Sequence, residues 1–528
     1  MLNLSSDHFN KSKIRFSSLI FCLLLISLFV NLGLHPLYLE EPRRALIALE
    51  MIFNKNYIVP TEFGEYYYKK PPLYNWFIVF AYKLFGNYSE FATRFFSVFS
   101  FVGMGLTLFW IGKKYVNKEF GIYACLLFLV SIDIYYYFSV LAEIDIFYSL
   151  ITLLSFFSLF HFYQNKQFGL LFSITYFLGA LGTLTKGFPS MVFLAISLPV
   201  FFIYNRDFKK LFSPYHFLGI FIYLAIVGGY FFVYAQYNEL TGYFKDLWSQ
   251  SSERTLLEKS LMSLLNHLVA FPLETLKNIL PASLFLIFTI KKNWFKDIKR
   301  NKLIEFCFYI FLSNSLIYWS SPGSRARYVY MLYPLLILIL LYFYLMNDSE
   351  KRKKAFDVIC KVVIACCILL CLALSFIPHF KGLANIPLIS IISTLIVSVI
   401  FFLSVKNRSF NLLYIILTLV VMRFVFDFTV LPSRAKMEEQ AQIEKEDALR
   451  IAGIIGNSSV YMYGAPLSHT SVFYLEREIE KVVGLRGRKN LTDYFIVLDS
   501  QLLNEKYKVY YKFTSARQER LLIKFLDY

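Results

Sequence analysis

Residues 385–405 read NIPLISIISTLIVSVIFFLSV, a stretch without a single charged side chain. A helix needs about 20 apolar residues to cross the hydrocarbon core of a bilayer. This stretch is therefore predicted to be a transmembrane helix, and the same criterion finds about 13 such spans along the chain. They lie near residues 15–34, 90–112, 119–137, 142–163, 167–185, 187–205, 216–234, 272–290, 303–320, 327–346, 358–378, 385–405 and 410–430.

The composition of the whole chain is typical of a multi-pass membrane protein. Apolar residues make up 57% of the 528 residues and charged residues only 17%, whereas soluble chains average roughly 45–50% and about 25%. This excludes a disordered chain, a collagen-like chain and an ordinary cytosolic enzyme. The formal charge is +18, but no single basic cluster dominates and no nucleic-acid motif occurs, so no nucleic-acid partner is predicted.

Lysine and arginine residues mark one side of the predicted membrane domain. If the spans alternate in direction, the basic segments all fall on one side; they are 11–15, 113–118, 206–210, 291–302, 351–354 and 406–408. Basic residues concentrate in cytoplasmic loops, so this side and the N-terminus are predicted to be cytoplasmic. The expected location is a bacterial inner membrane, with the lipid bilayer itself as a partner.

The opposite, extracytoplasmic side carries the first outer loop (35–89), a second loop (235–271) and the tail. Patterns in the tail predict a helix at 436–456 and strands at 492–500 and 507–513. The predicted fold is an all-α polytopic membrane domain with interfacial helices, residues 1–433, followed by a small periplasmic α/β domain, residues 434–528.

The first outer loop is rich in chemistry-bearing residues. Glu40 and Glu41 precede Pro42, which suits the first turn of a helix. The helix that follows, 43–54, has an apolar stripe and is predicted to lie at the membrane interface, with Glu50 on its polar face. A carboxylate at the mouth of an apolar bundle can act as a general base or orient a hydroxyl group.

Other charged residues share a position at the outer end of an apolar span, where polar groups are costly and indicate function. They are Glu143, Asp145, Lys186, Arg325 and Arg327. Lys69 and Lys70 lie within the first outer loop before Pro71-Pro72, where a lysine can be a point-charge partner for phosphate. Carboxylates and cations on one face form the pattern expected for transferring a group from an anionic lipid. The histidines lack metal-ligand spacing, so no cofactor is certain, and a divalent metal bound by oxygen ligands stays open.

The ordered set of motifs resembles the GT-C glycosyltransferases of the aminoarabinose-transferase and protein O-mannosyltransferase superfamily. The resemblance is strongest over residues 35–190 and weaker through 330. The motifs that carry it are EEPRR (Glu40–Arg44), VP (Val59–Pro60), YYYKKPPLYNW (Tyr66–Trp76), AEID (Ala142–Asp145), LTKG (Leu184–Gly187) and RARYVYMLYP (Arg325–Pro334). Their order and their common side make the set specific.

The resemblance implies an inverting transfer outside the inner membrane from a polyprenyl-phosphate-linked sugar. The first-loop motif usually reads Asp-Glu-x-Arg, so Glu40 takes the aspartate position. The family's Glu-Lys-Pro becomes Lys69-Lys70-Pro71, in which Lys69 replaces an acid. The expected roles are catalytic for Glu40, Glu41 and Asp145, donor-phosphate binding for Lys70, Arg43 and Arg327, and supporting for Lys69, Glu143, Lys186 and Arg325.

The sequence leaves several interpretations of the function open. The acceptor could be lipid A or another envelope glycolipid, a polysaccharide intermediate, or a protein Ser or Thr, and the aminoarabinose branch favours a glycolipid. A lipid or polysaccharide transporter or flippase would also explain the spans, but it predicts internal repeats, and none is evident. A receptor or scaffold would leave the charges on the outer face without a purpose.

Overall fold

The computed structural model describes residues 11–252, 261–380, 385–437, 439–486, 491–502 and 506–526. Residues 253–260 of the second outer loop and Glu438 of the predicted tail helix lie outside these ranges. The α-helices are α1 (Lys11–Phe29), α2 (Glu41–Phe53), α3 (Leu73–Phe85), α4 (Glu90–Tyr115), α5 (Lys118–Leu129), α6 (Ile132–Tyr136), α7 (Ile144–Gln164), α8 (Phe168–Lys186), α9 (Phe188–Tyr204), α10 (Pro214–Tyr234), α11 (Leu240–Ser252), α12 (Leu261–Asn278), α13 (Leu286–Thr289), α14 (Trp294–Ile298), α15 (Lys302–Trp319), α16 (Tyr333–Leu345), α17 (Glu350–Ala373), α18 (Ile386–Lys406), α19 (Asn411–Met437), α20 (Glu439–Ile455) and α21 (His469–Ile479).

Every predicted apolar span overlaps a helix or a bent pair of helices. The span predicted at 272–290 is misplaced at its start, because the bent pair already begins at Met262, within the stretch predicted as the second outer loop. Within the described residues, nine helices are long and apolar enough to cross a membrane, and up to eleven if each bent pair is one span. The two remaining predicted spans are α9, with 17 residues, and α15, with 18 residues. The fold is therefore that of a multi-pass membrane protein.

Two of the predicted spans are bent, which hydropathy did not predict. The first bends by 50° between α5 and Ile132–Val140. The second bends by 107° between Met262–Asn278 and Ala282–Thr289. Pro281 lies in the second break, where its missing N–H group and its ring interrupt the helical hydrogen bonds.

The chain divides into two compact units. Unit 1 lies within Met1–Asn31, Ser97–Gly229 and Trp248–Ser433. Unit 2 lies within Leu32–Phe96, Tyr230–Leu247 and Arg434–Tyr528, so it includes the first outer loop together with the tail.

Unit 1 contains most of the apolar helices. Helix α7 packs against α8, α15 packs against α9 and α16, and α17 packs against α18. Asparagine side chains begin two of these helices, since Asn117 accepts from a backbone N–H of α5 and Asn301 accepts from two of α15. Asn301 also donates to the backbone carbonyl of Tyr115 at 3.2 Å, which joins two basic loops at the same end of unit 1.

Unit 2 is built around α2, which packs against α3 and α21. Most of α2 is buried, including Glu50, which the sequence placed on a polar face. The strands are β1 (Thr61–Glu62), β2 (Glu65–Tyr66), β3 (Val460–Met462), β4 (Tyr494–Val497), β5 (Tyr507–Ser515) and β6 (Gln518–Phe525). Strands β1 and β2 form a hairpin, and the other four form a sheet in the order β3-β4-β6-β5, parallel only between β3 and β4.

Candidate active site

Four of the predicted site residues meet in unit 1, and we call them the helix-end cluster: Glu143, Asp145, Lys186 and Arg327. Glu143 is the N-cap residue of α7, and Asp145 lies in the first turn of that helix. Lys186 is the last residue of α8. Acids at a helix N-terminus and a cation at a helix C-terminus both complement the helix dipole. These ends of helices therefore favour the charges they carry.

The helix-end cluster is held together by buried ion pairs. Lys186 Nζ contacts Asp145 Oδ1 directly. Arg327 Nη1 lies 3.0 Å from Glu143 Oε1, and its Nε lies 3.5 Å from Asp145 Oδ2. The side chains are at most 17% exposed. Because all four charges have a partner, the cluster keeps two cations at a place where isolated charges would be expensive.

Aromatic rings complete the environment of Lys186. Its Nζ lies 4.9 Å from the ring centre of Tyr148 and 4.7 Å from that of Tyr328. Cations at such distances are attracted to the faces of aromatic rings. The carbonyl oxygen of Glu143 accepts a hydrogen bond from Ser97 Oγ at 3.2 Å, which anchors the loop before α7. The cation of Lys186 is thus fixed in position, as the binding of an anion requires.

A second group of charges lies in unit 2, and we call it the first-loop cluster: Glu40, Arg43, Glu62 and His469. Arg43 Nη1 lies 2.8 Å from Glu40 Oε2, and Arg43 Nε lies 3.0 Å from Glu62 Oε1. His469 Nε2 donates to Glu62 Oε1 at 2.6 Å. The β1–β2 hairpin places Glu62, the start of α2 places Glu40 and Arg43, and the tail helix α21 places His469.

The two carboxylates of the first-loop cluster differ in their surroundings. Burial alone would raise the pKa of Glu62, but the hydrogen bond from His469 and the charges of His469, Arg43 and Lys69 outweigh it, and the pKa is lowered. Glu62 therefore stays ionised and holds Arg43. The Glu40 side chain is 48% exposed, so its carboxylate is the one that a substrate can reach.

Glu41 has a different environment from Glu40. Its two oxygens accept from Arg94 Nε at 2.8 Å and Arg94 Nη2 at 2.9 Å, and both side chains are 1% exposed. Arg94 also donates to the carbonyl oxygens of Leu32 and His35 at 2.7 and 3.0 Å. This bidentate pair joins α2 to α4 and to the chain before α2. Both carboxylate oxygens of Glu41 are therefore occupied by Arg94.

The remaining predicted site residues stand outside the two clusters. Lys70 is half-buried and precedes Pro71, while Lys69 and Arg325 are exposed. Among the residues that the structure describes, no group of three His, Cys, Asp or Glu side chains could hold a metal ion. Glu62 and His469 are hydrogen-bonded directly to each other.

Sequence reasoning missed several residues that the structure brings into these sites. Glu62 could have been predicted from the sequence, because it lies in the motif PTEFGEY of the first outer loop. A Phe-Gly turn between two glutamates indicates a hairpin there. His469 lies 407 residues further along the chain, and no local pattern connects the two. Arg94 and the two tyrosines beside Lys186 sit inside apolar spans, where they read as ordinary helix residues.

The chain is similar to known proteins both in sequence and in fold. The model of a family described as dolichyl-phosphate-mannose-protein mannosyltransferase matches residues 69–230. The undecaprenyl phosphate-alpha-4-amino-4-deoxy-L-arabinose arabinosyl transferase of Wigglesworthia glossinidia brevipalpis is 25% identical over 354 residues, covering 65% of this chain and 61% of that protein. Crystal structures of ArnT from Cupriavidus metallidurans, apo and bound to undecaprenyl phosphate, have TM-scores of 0.71 and 0.67 at 16% identity, covering 97% of this chain and 98% of theirs.

The chain has the GT-C fold. The full-length structural match confirms the predicted fold class, an all-α polytopic membrane protein with a small C-terminal α/β part. The matches also confirm the resemblance to the aminoarabinose-transferase and protein O-mannosyltransferase superfamily. The aligned segment spans 61% of the curated relative's length. The region that matches the family model contains Lys70, Asp145 and Lys186.

Proposed function

We propose that this protein is an integral-membrane glycosyltransferase that moves a sugar from a polyprenyl-phosphate donor to an extracytoplasmic acceptor. The observation that carries the proposal is the buried Asp145–Lys186 pair at the ends of α7 and α8, inside the region that matches the mannosyltransferase model. A cation fixed at the end of apolar helices suits a ligand that combines a lipid tail with a phosphate.

The side of the membrane on which the site residues are predicted to lie determines which kind of sugar donor can reach them. Nucleotide sugars are made in the cytoplasm, whereas the site residues lie on the predicted outer side, so the sugar has to cross the bilayer attached to a lipid. The polyprenyl phosphate that leaves gains negative charge as the glycosidic bond breaks. A preorganised cation stabilises that transition state more than the ground state. We assign this role to Lys186, Arg327 and Lys70.

The acceptor step is assigned to the first-loop cluster. A hydroxyl oxygen of the acceptor attacks the anomeric carbon, the bond from that carbon to the phosphate oxygen breaks with inversion, and the hydroxyl proton passes to a base. Glu40 is the proposed base, because its carboxylate is accessible and Arg43 orients it. Asp145 is proposed to position Lys186 and Arg327, and Glu41 to position the start of α2.

The proposed acceptor is lipid A or another envelope glycolipid, and the proposed sugar is an arabinose-type pentose. Both follow the name of the curated relative and the aminoarabinose branch of the resemblance. The description of the matched family as a protein mannosyltransferase favours a second acceptor class, the Ser and Thr hydroxyls of proteins. An assay that offers the enzyme both a glycolipid and a peptide with Ser and Thr hydroxyls would distinguish these two acceptor classes.

We also propose that residues 1–433 and 434–528 form the membrane and periplasmic parts of a protein whose N-terminus is cytoplasmic. The first outer loop and the tail share one unit, which supports placing both on the same side of the membrane. Labelling of introduced cysteines from outside should reach position 70 and spare position 296. The opposite result would reverse the topology.

The decisive experiment is transfer by the purified full-length protein. Undecaprenyl-phosphate-linked 4-amino-4-deoxyarabinose and lipid A are expected to give a glycosylated lipid, whereas a nucleotide sugar gives none. Lys186→Met should remove the activity, and Lys113→Met, at the opposite end of unit 1, should keep it. Efficient use of a nucleotide sugar would overturn the proposal, and glycosylated peptide in place of lipid would select the second acceptor class.

A further inference from the structure

A groove of about 770 Å³ lies in unit 1 between the short helices α13 and α14 and the long helices α15 and α16. A volume of this size is within the range of pockets that hold small-molecule ligands. Lys291, Lys292 and Trp294 line one part of it. Apolar side chains line the rest, among them Phe308, Phe311, Leu336 and Ile339.

The groove exists because the second bent span is short. Its second half, Ala282–Thr289, consists of a four-residue 3₁₀ helix and the four residues of α13, so it extends only about 14 Å at roughly 2.0 and 1.5 Å per residue. The hydrocarbon core is ~30 Å thick, and the neighbouring α15 has 18 residues. The backbone at the end of the short helix is satisfied, because Arg352 donates to the carbonyl oxygens of Phe288, at 3.3 Å, and Ile290. On α15 and α16, the groove-lining side chains that stay partly exposed are Phe308, Phe311 and Leu336.

The surroundings place the groove at the level of lipid headgroups. Trp294 is 41% exposed and Phe295 is 38% exposed, and exposed aromatic residues of this kind are typical of the membrane–water interface. The loop 291–302 meets the end of α4 through the bond from Asn301 to the Tyr115 carbonyl oxygen. The groove therefore opens at the basic end of unit 1, opposite the helix-end cluster.

The positive charge at the basic end of unit 1 favours an anionic ligand in the groove. The loop 291–302 contains six cations and a single acid, Asp297. Asp297 is already paired with Lys291 at 2.5 Å and with Arg300 at 2.8 Å, while Lys292 is exposed beside the groove. Basic pockets between membrane helices on the cytoplasmic side bind anionic lipid headgroups.

We propose that this groove is a binding site for an anionic glycerophospholipid of the surrounding bilayer. One acyl chain lies against the wall formed by α15 and α16, and the headgroup phosphate is bound by Lys292 with help from Lys291. The lipid covers the apolar surface that the short helix leaves open, and it compensates for the excess positive charge of the loop. This site is separate from the proposed transfer reaction and does not depend on it.

Trp294 offers a probe that reports on this groove. Full-length protein would be titrated in mixed micelles with phosphatidylglycerol carrying brominated chains, which quench tryptophan on contact. The Trp294→Phe variant gives the background from the other tryptophans, so the difference belongs to the groove. We expect brominated phosphatidylglycerol to quench this component at a mole fraction at least about fivefold lower than brominated phosphatidylcholine, as one cation near an anionic headgroup implies.

Two variants and one matched control test the binding of the headgroup charge and of the acyl chain separately. Lys292→Gln should weaken the quenching by phosphatidylglycerol about fivefold, whereas Lys113→Gln, which removes the same charge at the same end of unit 1, should leave it unchanged. Leu336→Tyr narrows the groove and should weaken quenching while both lysines remain. No turnover is measured, so a failure here leaves the transferase proposal standing.

Several results would overturn the lipid site. Equal quenching by the two brominated lipids would mean that charge does not select the occupant. An equal loss in Lys113→Gln would indicate a diffuse basic surface. Competition by inorganic phosphate as strong as that by unbrominated phosphatidylglycerol would mean that the groove does not bind an acyl chain. Stronger displacement by undecaprenyl phosphate than by phosphatidylglycerol would assign the groove to the donor lipid.

Discussion

The helix-end cluster of unit 1 and the first-loop cluster of unit 2 contain similar charges in opposite surroundings. Asp145 and Lys186 are 5% and 7% exposed and contact each other. Glu40 and Arg43 also form an ion pair, but they are 48% and 24% exposed. Losing one partner of a buried pair leaves a costly isolated charge, whereas an exposed pair contributes little to stability. The first cluster therefore holds its cations in place, whereas the second leaves the Glu40 carboxylate accessible, as its proposed role as a base requires.

The largest expected effect follows from breaking the buried pair. Asp145→Asn leaves Lys186 without its closest anion, and we expect the free energy of unfolding to fall by about 3–5 kcal/mol. Denaturant unfolding of the protein in detergent measures this loss. The double variant Asp145→Asn with Lys186→Met removes both charges and should regain most of the stability without regaining activity. An unchanged stability in the single variant would contradict the assignment.

The exposed carboxylate should behave in the opposite way. Glu40→Gln keeps the size of the side chain and removes its basicity, so turnover should fall by about 10²–10⁴. Stability should change by less than about 0.5 kcal/mol, as is usual for surface substitutions. The matched control is Glu65→Gln, an exposed glutamate of the same loop, which should keep full activity. A fully active Glu40→Gln enzyme would remove Glu40 from the mechanism.

Hydropathy was enough to predict most helices of unit 1, since each predicted span overlaps a helix or a bent pair, but the first ten residues of the pair that begins at Met262 were predicted as loop. The bends were not predictable in this way, because a window of ~19 residues averages over a break. Pro281 was the visible signal for one of them. Ser131, which lies in the other break, has no such mark, and the N–H of the next residue, Ile132, donates to the distant carbonyl oxygen of Leu280 at 3.1 Å.

The membership of the two clusters was predictable only in part. Asp145, Lys186 and Arg327 were placed on one side because each interrupts or borders an apolar span. Which acid pairs with which cation depends on helix packing over separations of 41 residues for Asp145 and Lys186 and 184 for Glu143 and Arg327. The partner of Glu41 was missed for the same reason, since Arg94 lies within α4.

A smaller kinetic effect should separate the two adjacent lysines. Lys70 is half-buried before Pro71, whereas Lys69 is exposed. Lys70→Met should lower turnover at least roughly 100-fold, the typical cost of one preorganised electrostatic group. Lys69→Met should cost less than about tenfold, because an exposed cation is screened. Steady-state rates with the lipid-linked donor measure both. Equal losses would show that the pair acts through net charge alone.

A pH-dependent effect on stability concerns two buried acids that join the first loop to the tail. Glu50 on α2 and Glu476 on α21 are both fully buried. Burial raises the pKa of Glu50 from 4.5 to about 7, although hydrogen bonds from Thr61 and the Gly64 backbone N–H oppose the shift. Burial also raises the pKa of Glu476 well above its ordinary value, and the charge of Glu50 adds to it.

These shifts fix the sign of the pH dependence. Between pH 4.5 and about 7 the folded protein keeps a proton on Glu50 that the unfolded chain releases, so this stabilisation is fully present below pH 4.5 and is lost as the pH rises through about 7. The loss is on the order of 3 kcal/mol. Hydrogen exchange of α21 at pH 5 and pH 8 measures it. Glu50→Gln should reduce the difference and Glu65→Gln should retain it, and a tail that becomes better protected with rising pH would contradict the argument, because ionised carboxylates cannot be cheaper to bury than neutral ones.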